Sequence, residues 1–212
     1  MQLIGMLDSP YVRRVAVSLR LLKIPHEHRS ISVFSTFSQF QQINPVVKAP
    51  SLVCDDGGVL MDSTLILDYA EALAQPGRSL MPTGLAERQH ALAVIGLALA
   101  ACEKSVQIVY ERNLRPAEKL HQPWVARVSG QLLAACDALE ASLVRRPLAV
   151  ASETIDQAGV STAVAWHFIQ ALVPDVVAAD RYPALAGHST QAERLPEFAA
   201  APHGAETCSY PG

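Results

Sequence analysis

The segment Met6-Leu7-Asp8-Ser9-Pro10-Tyr11-Val12-Arg13-Arg14 sets a hydroxyl, a proline and a phenol where a short apolar run gives way to a helical pattern. Set beside the redox motif Cys-Pro-Tyr-Cys, Ser9-Pro10-Tyr11-Val12 keeps the middle pair and replaces both cysteines. The loop has no thiol of its own. Ser9 before Pro10 matches a helix N-cap followed by proline at the first helical position, and capping is a sufficient reading of both residues. A second reading is compatible with it. A hydroxyl accepts a bond from backbone and donates another outward, and a helix start gathers unpaired N–H groups at the positive end of the dipole. A free cysteine thiol has a pKa of about 8.5. One hydrogen bond to its charged form is worth roughly 1.5–3 kcal/mol, which lowers that pKa by about one to two units. A loop of this kind can activate a sulfur that a ligand brings.

Other residues with chemical capacity are assigned ordinary roles. His26-Glu27-His28 puts two imidazoles on one face of a strand. A third ligand is missing nearby, so an exposed strand face is expected and no metal site. Arg13-Arg14 reads as a solvated helix face, and His167 beside Trp166 as a packed residue on an apolar helix. Cys54, Cys102, Cys136 and Cys208 are scattered and form no CxxC pair, which argues against zinc and disulfides and fits a reducing compartment. Cys102 and Cys136 are expected as small core residues, and Cys208 as an exposed, oxidisable thiol in the tail.

The elements that must position these residues follow from periodicity. Over the first 75 residues the order reads β-α-β-α-β-β-α: a strand at 2–6, a helix from Pro10, a strand at 26–31, a helix through 35–43 that stops at Asn44-Pro45, a hairpin around Asp55-Asp56-Gly57-Gly58, and a helix opened by Asp62-Ser63. Residues 76–84, with two prolines and two glycines, read as a linker. Beyond it, 85–113, 118–144 and 157–172 are Ala/Leu/Val-rich and helical in pattern, and shorter helices close the chain. The expected organisation is an α/β domain over 1–75 and an all-helical domain over 85–212. Net charge is −3, from 17 basic and 20 acidic residues, so no general field gathers nucleic acid or anionic lipid. Mean hydropathy is +0.19. The longest apolar run, Ala91 to Cys102, is 12 residues, shorter than a bilayer span and expected as a buried helix. With no signal-peptide pattern at the N-terminus, a cytoplasmic location is expected.

"SPYVRRV", "INPVVKAPSLV", "LMDSTLILDYAE", "PGRSLMP" and "ERLPEFAAAP" recur here in an order and spacing that resembles bacterial glutathione S-transferases over nearly the whole chain. The resemblance implies a thioredoxin-like first domain and an all-α helical-bundle second domain. It makes Ser9 the donor to the glutathione sulfur, with Tyr11 as competitor. It implies a cis bond before Pro50, with the backbone of Ala49 paired to the cysteinyl part of glutathione as an added strand, and Lys48 near the glycyl carboxylate. For these two, a trans proline opening a strand and a solvated surface lysine remain the plain alternatives. Ser63 and the N–H groups behind it would hold the γ-glutamyl carboxylate and Asp62 its ammonium, although Asp and Ser also serve as caps. Phe34 would edge the site or be one more core aromatic. Tyr11, Tyr110 and Trp166 would line the second-substrate pocket. One departure stands out: the family's Ser/Thr-x-x-Asp capping box becomes Asp156-Gln157-Ala158-Gly159, an N-cap without its reciprocal acid.

What the resemblance implies is an enzyme of detoxification type, a homodimer, that uses reduced glutathione as co-substrate against a small hydrophobic electrophile. No tightly bound cofactor, metal, nucleic acid or membrane is implied. The alternative is a glutathione-binding or partner-binding scaffold of the same fold with little turnover. Disulfide exchange is disfavoured, because Ser9 cannot form a mixed disulfide.

Overall fold

The computed structural model describes residues 1–204. Cys208 lies outside them. The described chain divides into two compact units, one of residues 1–81 with 194–204, the other Pro82–Glu193.

The first unit follows the order read from the sequence: β1 (Gln2–Ile4), α1 (Pro10–Leu21), β2 (Glu27–Arg29), α2 (Phe37–Ile43), β3 (Ser51–Val53), β4 (Val59–Met61) and α3 (Ser63–Leu73). The sheet order is β2-β1-β3-β4. β1 runs parallel to β2 with Leu3 opposite His28, and antiparallel to β3 with Leu3 opposite Leu52. β3 and β4 form the hairpin, Leu52 opposite Leu60. The 3.6-residue spacing of Val12, Val15, Ala16 and Leu19 turns one face of α1 inward, where these residues are fully buried with Leu3, Ile4, Leu52 and Ile66. A parallel β1–β2 pair needs a crossover, and α1 supplies it.

Three expectations fail in this unit. Arg13 and Arg14 are not a solvated face: they are 2% and 3% exposed. Arg13 donates through Nε to the Ala201 carbonyl at 2.9 Å and lies 5.9 Å from the Phe198 ring centre. A short helix α8 (Pro196–Ala199) carries Phe198, so residues 194–204 belong with the first unit, whereas the sequence pattern assigns all of 85–212 to the helical domain. His26 and His28 are not an exposed face either, being buried with ring nitrogens on the Ile24 and Gly5 carbonyls at 3.0 and 2.6 Å. An imidazole can be buried at low cost when it stays neutral and satisfies a carbonyl.

The second unit contains α4 (Leu85–Asn113), α5 (Gln122–Arg145), α6 (Gln157–Leu172) and α7 (Pro183–Ala192), with 3₁₀ turns at Ala117–Lys119 and Ala179–Arg181. α4 packs on α5 and α6, and α6 on α7. Cys102 and Cys136 are buried here, and burial pushes the Cys136 thiol up to about 12. Asp156 caps α6 through the Gly159 N–H at 2.8 Å. The half-box has a packing cause. A Cβ at Gly159 would meet Ile155 Cγ1 at 2.9 Å, and the Gly159 carbonyl is in hydrogen-bonding contact with His188 Nε2 at 2.9 Å. His167 pairs with Glu193 at 3.2 Å.

Glu140 of α5 accepts the Ala184 and Leu185 N–H groups at 2.8 and 2.9 Å, closing the start of α7 from another helix. Glu140→Ala leaves both donors unpaired and is expected to cost about 1–3 kcal/mol in urea unfolding, with Glu140→Gln retaining part of the loss. The buried histidines add a pH dependence. Burial holds His26, His28 and His188 below the ordinary 6.5, so the unfolded chain protonates first as pH falls. Their contribution is complete above about 6.5 and is lost as pH drops through that value. The urea midpoint is expected to be lower at about pH 5.5 than at about pH 7.5.

Candidate functional site

Ser9 is the N-cap of α1, with extended backbone (φ −74°, ψ 124°) and Pro10 at the first helical position. Its Oγ accepts a long 3.4 Å bond from the Val12 N–H. That bond uses a lone pair and leaves the O–H proton available outward. The cap reading is realised, weakly, and it leaves the Ser9 hydroxyl able to donate. Tyr11 lies one residue inside the helix and is half-buried.

The Ala49–Pro50 peptide is cis. Among the described residues the Ala49 N–H and C=O take part in no hydrogen bond, the state of a strand edge open to pairing. Asn44, buried at the end of α2, holds this loop. Its Nδ2 donates to Ser51 Oγ at 2.9 Å, its Oδ1 accepts the Val46 N–H at 3.0 Å, and Ser51 Oγ donates to the Lys48 carbonyl at 2.8 Å. The network keeps Val47 at φ 53°, a left-handed conformation that a β-branched residue seldom adopts.

Asp62 is the N-cap of α3 at φ 71°, and its Oδ1 accepts the Thr64 N–H at 2.9 Å. The cap reading of Asp62 is therefore realised, in a conformation costing about 1–3 kcal/mol that concentrates at functional sites. Its other oxygen lies 3.6 Å from Lys48 Nζ, both groups about half exposed. Ser63 is buried, and its Oγ accepts from Arg14 Nη1 at 3.1 Å; the same nitrogen donates to Thr64 Oγ1 at 3.3 Å.

These contacts link the segments. A Cβ on Gly5, at the end of β1, would meet Val12 Cγ2 at 2.6 Å and Ala49 Cβ at 3.1 Å, and its φ of +135° suits glycine alone. Gly5 thus joins the start of α1 to the cis-proline loop, Lys48 joins that loop to Asp62, and Arg14 joins α3 back to α1. Ser9, Lys48, Ala49, Pro50, Asp62 and Ser63 belong to this linked set. Phe34 is 57% exposed in a turn held by Ser32, so it is no core aromatic. Tyr110 is half exposed at the end of α4. Trp166, expected at the second-substrate pocket, is instead a core residue of the helical unit, 5% exposed with its ring centroid 5.7 Å from that of Tyr182, because α6 is covered on nearly all faces. The sequence reading missed Gly5, Arg14 and Asn44. The Gly5 signal was a glycine closing an apolar strand.

A four-stranded mixed sheet with α1 crossing from β1 to β2, a cis-proline ahead of β3 and a helix-start pair at Asp62-Ser63 defines the thioredoxin-like class, here followed by a helical bundle. Residues 3–78 match the family described as glutathione S-transferase, N-terminal domain. The chain is 26% identical over 169 residues to the uncharacterized GST-like protein YibF of Escherichia coli K12, covering 80% of this chain and 82% of that one. It is 25% identical to glutathione S-transferase U4 of Arabidopsis thaliana, over 61% of each. A glutathione transferase family member from Pseudomonas fluorescens Pf-5, solved with bound glutathione, superposes with a TM-score of 0.80 at 28% identity, over 94% of this chain and 97% of that one. The Methylobacterium radiotolerans glutathione S-transferase, solved with glutathione sulfonate, shares the fold at a TM-score of 0.86 and 23% identity, over 100% and 98%. Residues 3–78 thus carry the glutathione S-transferase N-terminal pattern, and the chain as a whole is similar to bacterial glutathione transferases.

Proposed function

We propose that this protein is a serine-type glutathione transferase that binds reduced glutathione along the linked set and holds its sulfur as thiolate against Ser9. The observation that carries the reading is the convergence of a capped helix start with a spare hydroxyl donor, an unpaired backbone edge at Ala49 and the hydroxyl pair of α3. The crystallised Pseudomonas relative, which binds glutathione, supports it. Here Ser9 Oγ–H donates to the sulfur, Ala49 pairs with the cysteinyl backbone, and Ser63 with the N–H groups behind it holds the γ-glutamyl carboxylate. Lys48 and Asp62 neutralise each other without ligand and turn to the glycyl carboxylate and the γ-glutamyl ammonium when it arrives. The thiol proton leaves to solvent. Sulfur then bonds to an electrophilic carbon, and the leaving group departs with its electron pair, or a Michaelis acceptor takes up a proton from water. Tyr11 and Tyr110 remain the candidate contacts for the small hydrophobic electrophile. Phe34 is offered as an edge contact to glutathione. No tightly bound cofactor is part of this mechanism.

We place the protein in the cytoplasm as a homodimer. Val59, Met61 and Leu65 on β4 and α3, and Leu85 and Leu92 on α4, are exposed apolar residues that a second copy would cover. α4 is long and apolar enough by length and composition to cross a membrane, and only 39% of its most apolar window is buried within the chain. Dimer burial accounts for that surface, and sedimentation at micromolar concentration should return a mass near twice that of the chain. Calorimetry with glutathione, followed by conjugation assays on a panel of electrophiles, tests the function. Saturable binding with turnover is expected. Binding without turnover on any electrophile would make the chain a glutathione-binding scaffold, and no binding would end the reading.

A further inference from the structure

We infer that Arg14 is a positioning residue that fixes the proton direction of the Ser63 and Thr64 hydroxyls and so makes the start of α3 selective for a carboxylate over a neutral amide. The inference rests on the proposed glutathione site and adds the origin of its selectivity for the γ-glutamyl end.

A guanidinium only donates, and a hydroxyl has one proton and two lone pairs. Arg14 Nη1 lies 3.1 Å from Ser63 Oγ and 3.3 Å from Thr64 Oγ1, so it takes a lone pair from each. Neither O–H can point back at a group that has no acceptor. Both protons are therefore turned away from Arg14, and the first-turn N–H groups other than that of Thr64, which Asp62 takes, add further donors at this helix start. Apart from the Asp62 carboxylate, whose oxygens face the Thr64 N–H and Lys48, the opening of α3 therefore offers donors. A carboxylate accepts from all of them, whereas a carboxamide in the same place must set its NH₂ against a donor or turn away. Rigidity comes from burial. Arg14 and Ser63 are each at most 3% exposed, and α1 and α3 pack directly together. A buried planar fork holds one geometry where a surface lysine would sample many. Capping alone does not require this arrangement, because Asp62 already caps the helix through Thr64 N–H.

The test compares glutathione with its analogue in which the γ-glutamyl carboxylate is a carboxamide, by calorimetry on the wild-type chain and on Arg14→Met and Arg14→Lys. The wild type is expected to prefer glutathione, and Arg14→Met to reduce that preference roughly tenfold. Arg14→Lys should give an intermediate preference, and it supplies the same readout should Arg14→Met fail to fold. Thermal unfolding of each variant separates stability from selectivity. Equal losses for both peptides would reduce Arg14 to a structural role and overturn the inference, as would an unchanged preference in the Arg14 variants. A wild-type chain that binds neither peptide would instead overturn the proposed function, and the inference with it.

Discussion

Replacing Ser9 by alanine is expected to lower conjugation turnover at saturating glutathione about 8- to 25-fold near neutral pH, with far smaller losses in glutathione affinity and fold stability. The magnitude follows from one donor. A hydrogen bond to a charged group is worth roughly 1.5–3 kcal/mol, or about one to two pKa units of the bound thiol, and at about pH 7 the thiolate fraction falls by less than the full shift because the stabilised thiol is already partly ionised there. The competing effect is loss of the cap. Cap substitutions cost about 0.5–2 kcal/mol, and the 3.4 Å length of the Val12-to-Ser9 bond puts this one at the weak end. Chemistry therefore dominates over stability in the Ser9→Ala variant. Turnover that rises again at alkaline pH would mark the missing donor, and Ser9→Thr should recover part of the rate. Turnover unchanged by Ser9→Ala would remove this hydroxyl from the mechanism and leave Tyr11 as the donor to test.

The second large effect is expected at Gly5, far in sequence from every ligand-facing residue except those around Ser9. Gly5→Ala adds a methyl 2.6 Å from Val12 Cγ2 and 3.1 Å from Ala49 Cβ at a φ of +135°. Strain of that kind and overpacking each cost about 1–3 kcal/mol, so a loss of about 3 kcal/mol or more is expected in denaturant unfolding. The methyl must push the start of α1 and the cis-proline loop apart, the two segments that would flank the sulfur and the cysteinyl backbone. Glutathione affinity should fall together with stability. Stability falling with affinity unchanged would show that this junction does not shape the site.

The order of elements was readable because each is written locally. Alternation and helical spacing over a dozen residues carry α1, and Asp-Asp-Gly-Gly carries the hairpin. The α4 and α6 spans, 85–113 and 157–172, coincide with their sequence patterns. Ser9, Pro50 and Asp62-Ser63 were legible for a different reason: each stands at an element start where capping preferences and the family pattern coincide. What escaped depends on groups distant in the chain. Arg13 and Arg14 look solvated by charge alone, and only partners 188 and 49 residues away, Ala201 and Ser63, explain their burial. His28 needed the Gly5 carbonyl, Trp166 needed Tyr182, and the return of the chain after Arg194 needed the Arg13–Phe198 stack. Asn44 read as a helix stop, which it is. Its work on the 44–51 loop is visible only once the side chain reaches Ser51.

The most direct test of thiolate stabilisation is a spectroscopic titration of glutathione bound to the wild-type protein, following the ultraviolet absorbance of the ionised sulfur across pH. A bound thiol ionising about one to two units below its free value is the expected result. A bound thiol that ionises at its free value would contradict the account, however tightly the peptide is held.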